Sequence, residues 1–77
     1  MNGTAHTTDI APRTSVTFLE WDGHIEIYVS ATTGDELVGT WTKATFMDRI
    51  TGFAFNYDGV EVRVSPEALR EAQATFA

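Results

Sequence analysis

Val16 and Phe18, and past a turn Ile25, Ile27 and Val29, are β-branched or aromatic residues recurring with a period of two. That spacing predicts two half-buried strands. Asp22-Gly23 lies between them and suits a two-residue type I′ turn, because both central residues need positive φ, free for Gly and tolerated by Asp. The turn sets the register: Trp21 opposite His24, Glu20 opposite Ile25, Leu19 opposite Glu26, Phe18 opposite Ile27, Thr17 opposite Tyr28 and Val16 opposite Val29. One face of this hairpin is then Val16, Phe18, Ile25, Ile27 and Val29, a core. The other is Thr17, Leu19, Trp21, His24, Glu26 and Tyr28, too apolar for a solvated face and too polar for an interior.

Downstream, Thr32-Thr33-Gly34-Asp35 has turn composition, and Leu37 to Thr42 reads as a third strand that Gly39 weakens or bulges. In residues 43–51, Phe46, Met47 and Ile50 share a helical face, with Gly52 placed as a left-handed residue past the helix end. A short helix is expected there, against a competing strand reading from the β-branched Thr42, Thr45 and Thr51. Phe53 to Val64 is a second Asp-Gly hairpin, with Tyr57 opposite Val60, Phe55 opposite Val62 and Phe53 opposite Val64 on its apolar face. Ser65-Pro66-Glu67 starts a helix with an N-cap, a proline at the first position and an acid at the positive end. Ala68, Leu69, Ala72 and Phe76 form its stripe. Arg70 is one turn from Glu67. Although the two hairpins share Asp-Gly, their apolar phases differ, which argues for common turn chemistry and against a repeat.

Met1 to Thr14 has no apolar periodicity and ends in Ala-Pro-Arg-Thr, so it reads as a flexible tail. The expected organisation is that tail, residues 1–14, followed by one domain, residues 15–77. Its fold class is α+β: an antiparallel meander of four or five strands built on two Asp-Gly hairpins, a C-terminal helix on one face and a short helical segment near residues 43–51. With 77 residues and no cysteine, neither a large core nor disulfides or thiolate zinc can reinforce it. No window has the apolar length to span a bilayer and the first residues lack a signal-peptide pattern, so a cytoplasmic protein is expected.

The chain carries net charge −6, from eleven acidic and five basic residues. Residues 15–42 hold Glu20, Asp22, Glu26, Asp35 and Glu36 with no Lys or Arg among them. That excess disfavours direct binding to nucleic acid or anionic membranes and favours a basic partner. Catalytic signatures are missing: no glycine-rich phosphate loop, no EF-hand spacing, no HExxH, and no cleft expected for paired carboxylates. His24 and Glu26 lie on one strand face and could touch, which is more often pairing than an acid-base dyad. His6 and Asp9 in the tail are too few to hold a metal. No catalytic residue, metal or cofactor is expected.

The residues assigned to partner binding are Leu19, Glu20, Trp21, Asp22, Glu26, Tyr28, Asp35 and Glu36. Aromatics in a one-signed field are hot-spot chemistry for a basic protein surface, and spaced carboxylates can stand in for phosphates on a nucleic-acid-handling complex. The expected function is therefore a small non-enzymatic inhibitor or regulator, analogous in size and charge alone to the inhibitors phages deploy against host nucleases, CRISPR complexes and polymerases. The alternative is an assembly subunit, with homo-oligomer or particle contacts through the aromatic face of the first hairpin.

Overall fold

Asp22 and Gly23 both take positive φ, 50° and 77°, and this tight reversal brings Thr14–Trp21 back against His24–Ala31 with Trp21 opposite His24 and Val16 opposite Val29. The computed structural model describes residues 3–32 and 34–77. Met1 and Asn2 of the expected tail and Thr33 of the expected turn lie outside the described residues. In chain order the elements are β1 (Thr4–Ala11), β2 (Thr14–Trp21), β3 (His24–Ala31), β4 (Gly34–Thr42), α1 (Lys43–Asp48), β5 (Phe53–Tyr57), β6 (Val60–Val64) and α2 (Pro66–Phe76). The architecture is α+β: a four-stranded antiparallel meander ordered β1-β2-β3-β4, a separate two-stranded sheet β5-β6, and two helices.

Two expectations about the strands are corrected. Thr4 to Ala11, read as tail, form the edge strand β1, pairing Thr8 with Val16, His6 with Phe18 and Thr4 with Glu20. The short polar residues hid this strand, because an edge strand is held by its ladder and needs no apolar stripe of its own. One side-chain bond joins it to the far end of the chain, between His6 Nδ1 and Thr75 Oγ1 of α2 at 3.1 Å. The second hairpin is also not part of the first sheet. It keeps the expected pairs Tyr57–Val60, Phe55–Val62 and Phe53–Val64, but as a ribbon of its own lying on the core side of the meander.

The core holds Val16, Phe18, Ile25 and Ile27 from the sheet, Phe46 from α1, Val62 and Val64 from β6, and Leu69, Ala72 and Phe76 from α2. Phe46 is the joint among these layers. Its ring lies 5.4 Å from Phe18, 5.9 Å from Trp41 and 5.9 Å from Phe76, centroid to centroid, in tilted and edge-on arrangements. Such geometries let the electropositive ring edge meet a neighbouring face.

Residues 43–48 are helical because Thr42 caps them: the Thr45 amide donates to Thr42 Oγ1 at 3.2 Å, satisfying a donor that a strand would have placed elsewhere. The helix stops at Asp48, so Ile50, expected on the Phe46 face, lies beyond it and is 84% exposed. Gln73 of α2 closes its C-terminal end, its side-chain amide donating to the carbonyls of Phe46 and Arg49 at 2.8 and 2.7 Å. These two bonds supply what a short helix lacks at its end. Gly52 is required for a different reason from the one its position suggested. A Cβ there would run into the Val64 carbonyl oxygen, whereas its φ is not in the left-handed region.

Truncating the joint separates the layers. Phe46→Ala is expected to destabilise the fold by about 3–5 kcal/mol, the usual cost of emptying a buried aromatic site. Urea unfolding followed by near-ultraviolet circular dichroism measures this, and a loss below about 1 kcal/mol would show that the sheet and α2 hold together without Phe46.

Candidate functional site

The period of two that buries Val16, Phe18, Ile25 and Ile27 turns Thr17, Leu19, Trp21, Glu26 and Tyr28 to the other side of the sheet. Both helices and the β5-β6 ribbon pack on the core side. Among the described residues no helix or strand covers the outer face. Trp21 is 44% exposed and Leu37 48% exposed, while Leu19, Glu26 and Tyr28 are half-buried by their strand neighbours.

The register of β4 extends this face. Leu37 lies opposite Tyr28 and Asp35 opposite Ser30, whereas past an irregularity at Val38 the pairs become Gly39 with Ile27 and Thr40 with Glu26. A bulge of this kind inserts one residue and shifts the alternation by one, so Thr40 and Thr42, and not Gly39 and Trp41, lie on the outer face beyond it. On the other flank, Ala5 pairs with Leu19, and Thr7 and Thr17 share a hydroxyl–hydroxyl bond of 2.9 Å. Asp9 lies opposite Ser15. The strand residues of this face include Asp9, Glu26 and Asp35 and no Lys or Arg.

Of the eight residues assigned from sequence, Leu19, Trp21, Glu26, Tyr28 and Asp35 share the outer face, and Asp22 sits in the turn beside it. Two are placed elsewhere. Glu20, opposite Ile25, belongs to the core side, where its carboxylate pairs with Lys43 Nζ at 2.7 Å. Adjacent charges in the chain had concealed this pairing, since Lys43 lies outside the acidic stretch and reaches back across the end of the sheet. Glu36, opposite Val29, also falls on the core side, exposed along β4. Leu37 and Asp9 are the additions that sequence reasoning missed. Leu37 became legible only with the β4 register, and Asp9 only with β1 in the sheet.

The polar contacts on the face are local. The Tyr28 hydroxyl donates to Glu26 Oε1 at 2.8 Å. The His24 Nδ1–H donates to the Asp22 carbonyl at 3.0 Å, bracing the turn. Each half of the expected His24–Glu26 contact is thus engaged with another group. The bond to Glu26 raises the Tyr28 pKa above its usual value of 10.0, with desolvation and the carboxylate's charge adding in the same direction.

No group of three or more His, Asp or Glu side chains among the described residues could hold a metal ion. Among clefts lined by described residues, one contains Asp58, another Arg63 and a third Arg49 as its charged residue. No helix of the described residues is long and apolar enough to cross a membrane. Compared with models of protein families, with curated protein sequences and with solved structures, the chain matches none of them.

Because the neutral phenol of Tyr28 is the favoured form in the fold, its contribution to stability is fully present below the ordinary tyrosine pKa and is lost as pH rises through the raised folded value. The unfolding midpoint should therefore fall as the solution is made more alkaline than about pH 10. Glu26→Ala should return the Tyr28 titration toward the ordinary range, read from its ring-carbon NMR shifts. An unchanged titration in that variant would exclude the Glu26 bond as the cause.

Proposed function

We propose that the protein is a non-enzymatic binding domain whose outer sheet face captures a basic protein surface, and that it acts as an inhibitor or regulator by occupying that surface. The observation that carries this reading is the uncovered face itself, which exposed Trp21 and Leu37 share with Glu26, Asp35 and Asp9 and on whose strands there is no Lys or Arg. Flat aromatic and aliphatic side chains supply desolvation energy at the centre of an interface, and the one-signed rim supplies steering and selects partners of opposite charge. A surface evolved to hold nucleic acid presents Lys and Arg at phosphate spacings, and carboxylates along adjacent strands compete for the same cations. The inhibitors phages deploy against nucleic-acid-handling host complexes are the analogy in size and charge.

An assembly subunit is the second reading, and the apolar quartet Leu19, Trp21, Tyr28 and Leu37 favours it. Burying this face on a copy of itself would oppose like charges across a two-fold axis, since each copy brings Glu26 and Asp35 and no strand cation. Sedimentation at several concentrations separates the two, giving a monomer under the first reading and a discrete oligomer under the second.

Affinity capture from the native host, followed by mass spectrometry, identifies the partner. Reversing Glu26, Asp35 and Asp9 to Lys should then weaken its capture by about 100-fold or more, with far-ultraviolet circular dichroism unchanged. Capture that survives the triple reversal in a folded protein sinks the electrostatic account.

A further inference from the structure

The free edge of β4 differs from the other edge of the meander in what lies next to it. Strand β1 has α2 against it, through the His6–Thr75 bond, whereas among the described residues no strand pairs beyond β4. Trp21 and His24 flank a two-residue turn and so exchange the first hydrogen bonds of their ladder, and alternation from there directs Ile25, Ile27 and Val29 of β3 toward Trp41, Gly39 and Glu36. The Lys43 amide on the Gly23 carbonyl at 2.9 Å continues the same alternation. Asp35, Leu37 and Thr40 are thereby left with backbone groups pointing away from the sheet. Such an edge is usually blunted by charge, proline or a bulge, and β4 has the irregularity at Val38 and the acidic Asp35 and Glu36 but no lysine or proline, so what blunts it against a copy of itself leaves it open to a basic strand.

The two sides of this edge differ in chemistry. On the outer side stand Asp35, Leu37 and Thr40. On the core side a cleft of about 270 Å³ opens between β4 and β5, lined by Val38, Trp41 and Phe53 among others. Its one cation, Arg49, is already engaged, stacked 5.2 Å above Trp41 and 5.6 Å above Phe53 and donating to the Thr51 and Gly52 carbonyls. A strand laid along β4 turns alternate side chains to these two sides.

We propose that β4 receives an extended segment of the partner as a fifth strand, in which basic residues alternate with apolar ones. The basic side chains lie over Asp35 and Glu26 on the outer side, and the apolar ones enter the Val38–Trp41–Phe53 cleft, where Arg49 disfavours a second cation. This rests on the reading of the protein as a binder of basic surfaces and specifies the form of the recognised element. A second copy of the chain is a poor occupant, because its own β4 brings Asp35 and Glu36 and no basic residue.

The test uses the isotope-labelled full chain and a synthetic peptide of about seven residues alternating lysine and valine, long enough when extended to span most of β4. Amide hydrogen exchange at Asp35, Leu37 and Thr40 should slow by about tenfold or more at saturation, as unpaired edge amides gain partners. A peptide of the same composition with its lysines and valines in separate blocks should give less than about a tenth of that protection, because it cannot present the two chemistries to opposite sides. Shift changes confined to Leu19, Trp21 and Tyr28, with β4 exchange unaltered, would overturn the strand-addition proposal while leaving the face as the binding site. Equal protection by the block peptide, no binding of the alternating one at millimolar concentration, or β4 protection arising from self-association would each overturn it as well.

Discussion

Phe46 is the contact on which the rest of the structure depends. A 77-residue chain without cysteine has one small core, and that core is closed where this ring meets Phe18 of the sheet, Trp41 of the last strand and Phe76 of the C-terminal helix. The six-residue helix that presents it is too short to be stable alone. It is held by the Thr42 cap at one end and by Gln73 from α2 at the other, so a joint from the middle of the chain is supported by the C-terminal helix. Arg49 then lies over Trp41 and Phe53, sealing the aromatic cluster with a cation whose hydrogen bonds go to nearby carbonyls.

Closing the core on one side of the sheet has a consequence for the other. The chain uses both helices and the second hairpin to cover Val16, Phe18, Ile25 and Ile27, and among the described residues no helix or strand lies over the outer face. Yet that face carries aromatic and aliphatic side chains that a purely solvated sheet surface would replace with polar ones. Its carboxylates lie on the strands, while Lys43 turns to Glu20 on the core side. Fold and proposed function are linked here: one-sided packing leaves a flat, acidic, aromatic platform, and the same topology leaves β4 unpaired beside it.

How much of this was legible in the sequence follows from which signals are local. Asp22-Gly23 and Asp58-Gly59 encode positive φ directly, so the pairs Trp21–His24 and Tyr57–Val60, and with them the inner and outer residues of each hairpin, could be read without a structure. Ser65 and Pro66 marked the start of α2 by the same kind of local chemistry. What failed depended on tertiary partners. Strand β1 has the composition of a tail and becomes a strand only against β2, and Glu20 reads as part of an acidic surface until Lys43 folds onto it. Leu37 joins the face through a bulge whose position no single residue announces, although Gly39 lies next to it. The length of α1 was legible only within a few residues, because Arg49 caps it in extended conformation without the left-handed glycine that usually marks such an end.

The central claim is that Trp21 stands on an uncovered, negatively charged face. Collisional quenching of tryptophan fluorescence in a Trp41→Phe protein, comparing caesium with iodide at matched ionic strength, tests both its exposure and the sign of its surroundings. The account predicts efficient quenching of Trp21, stronger by the cation than by the anion, with the difference shrinking as salt screens the field. A Trp21 protected from both quenchers, or one quenched more readily by iodide, would contradict it.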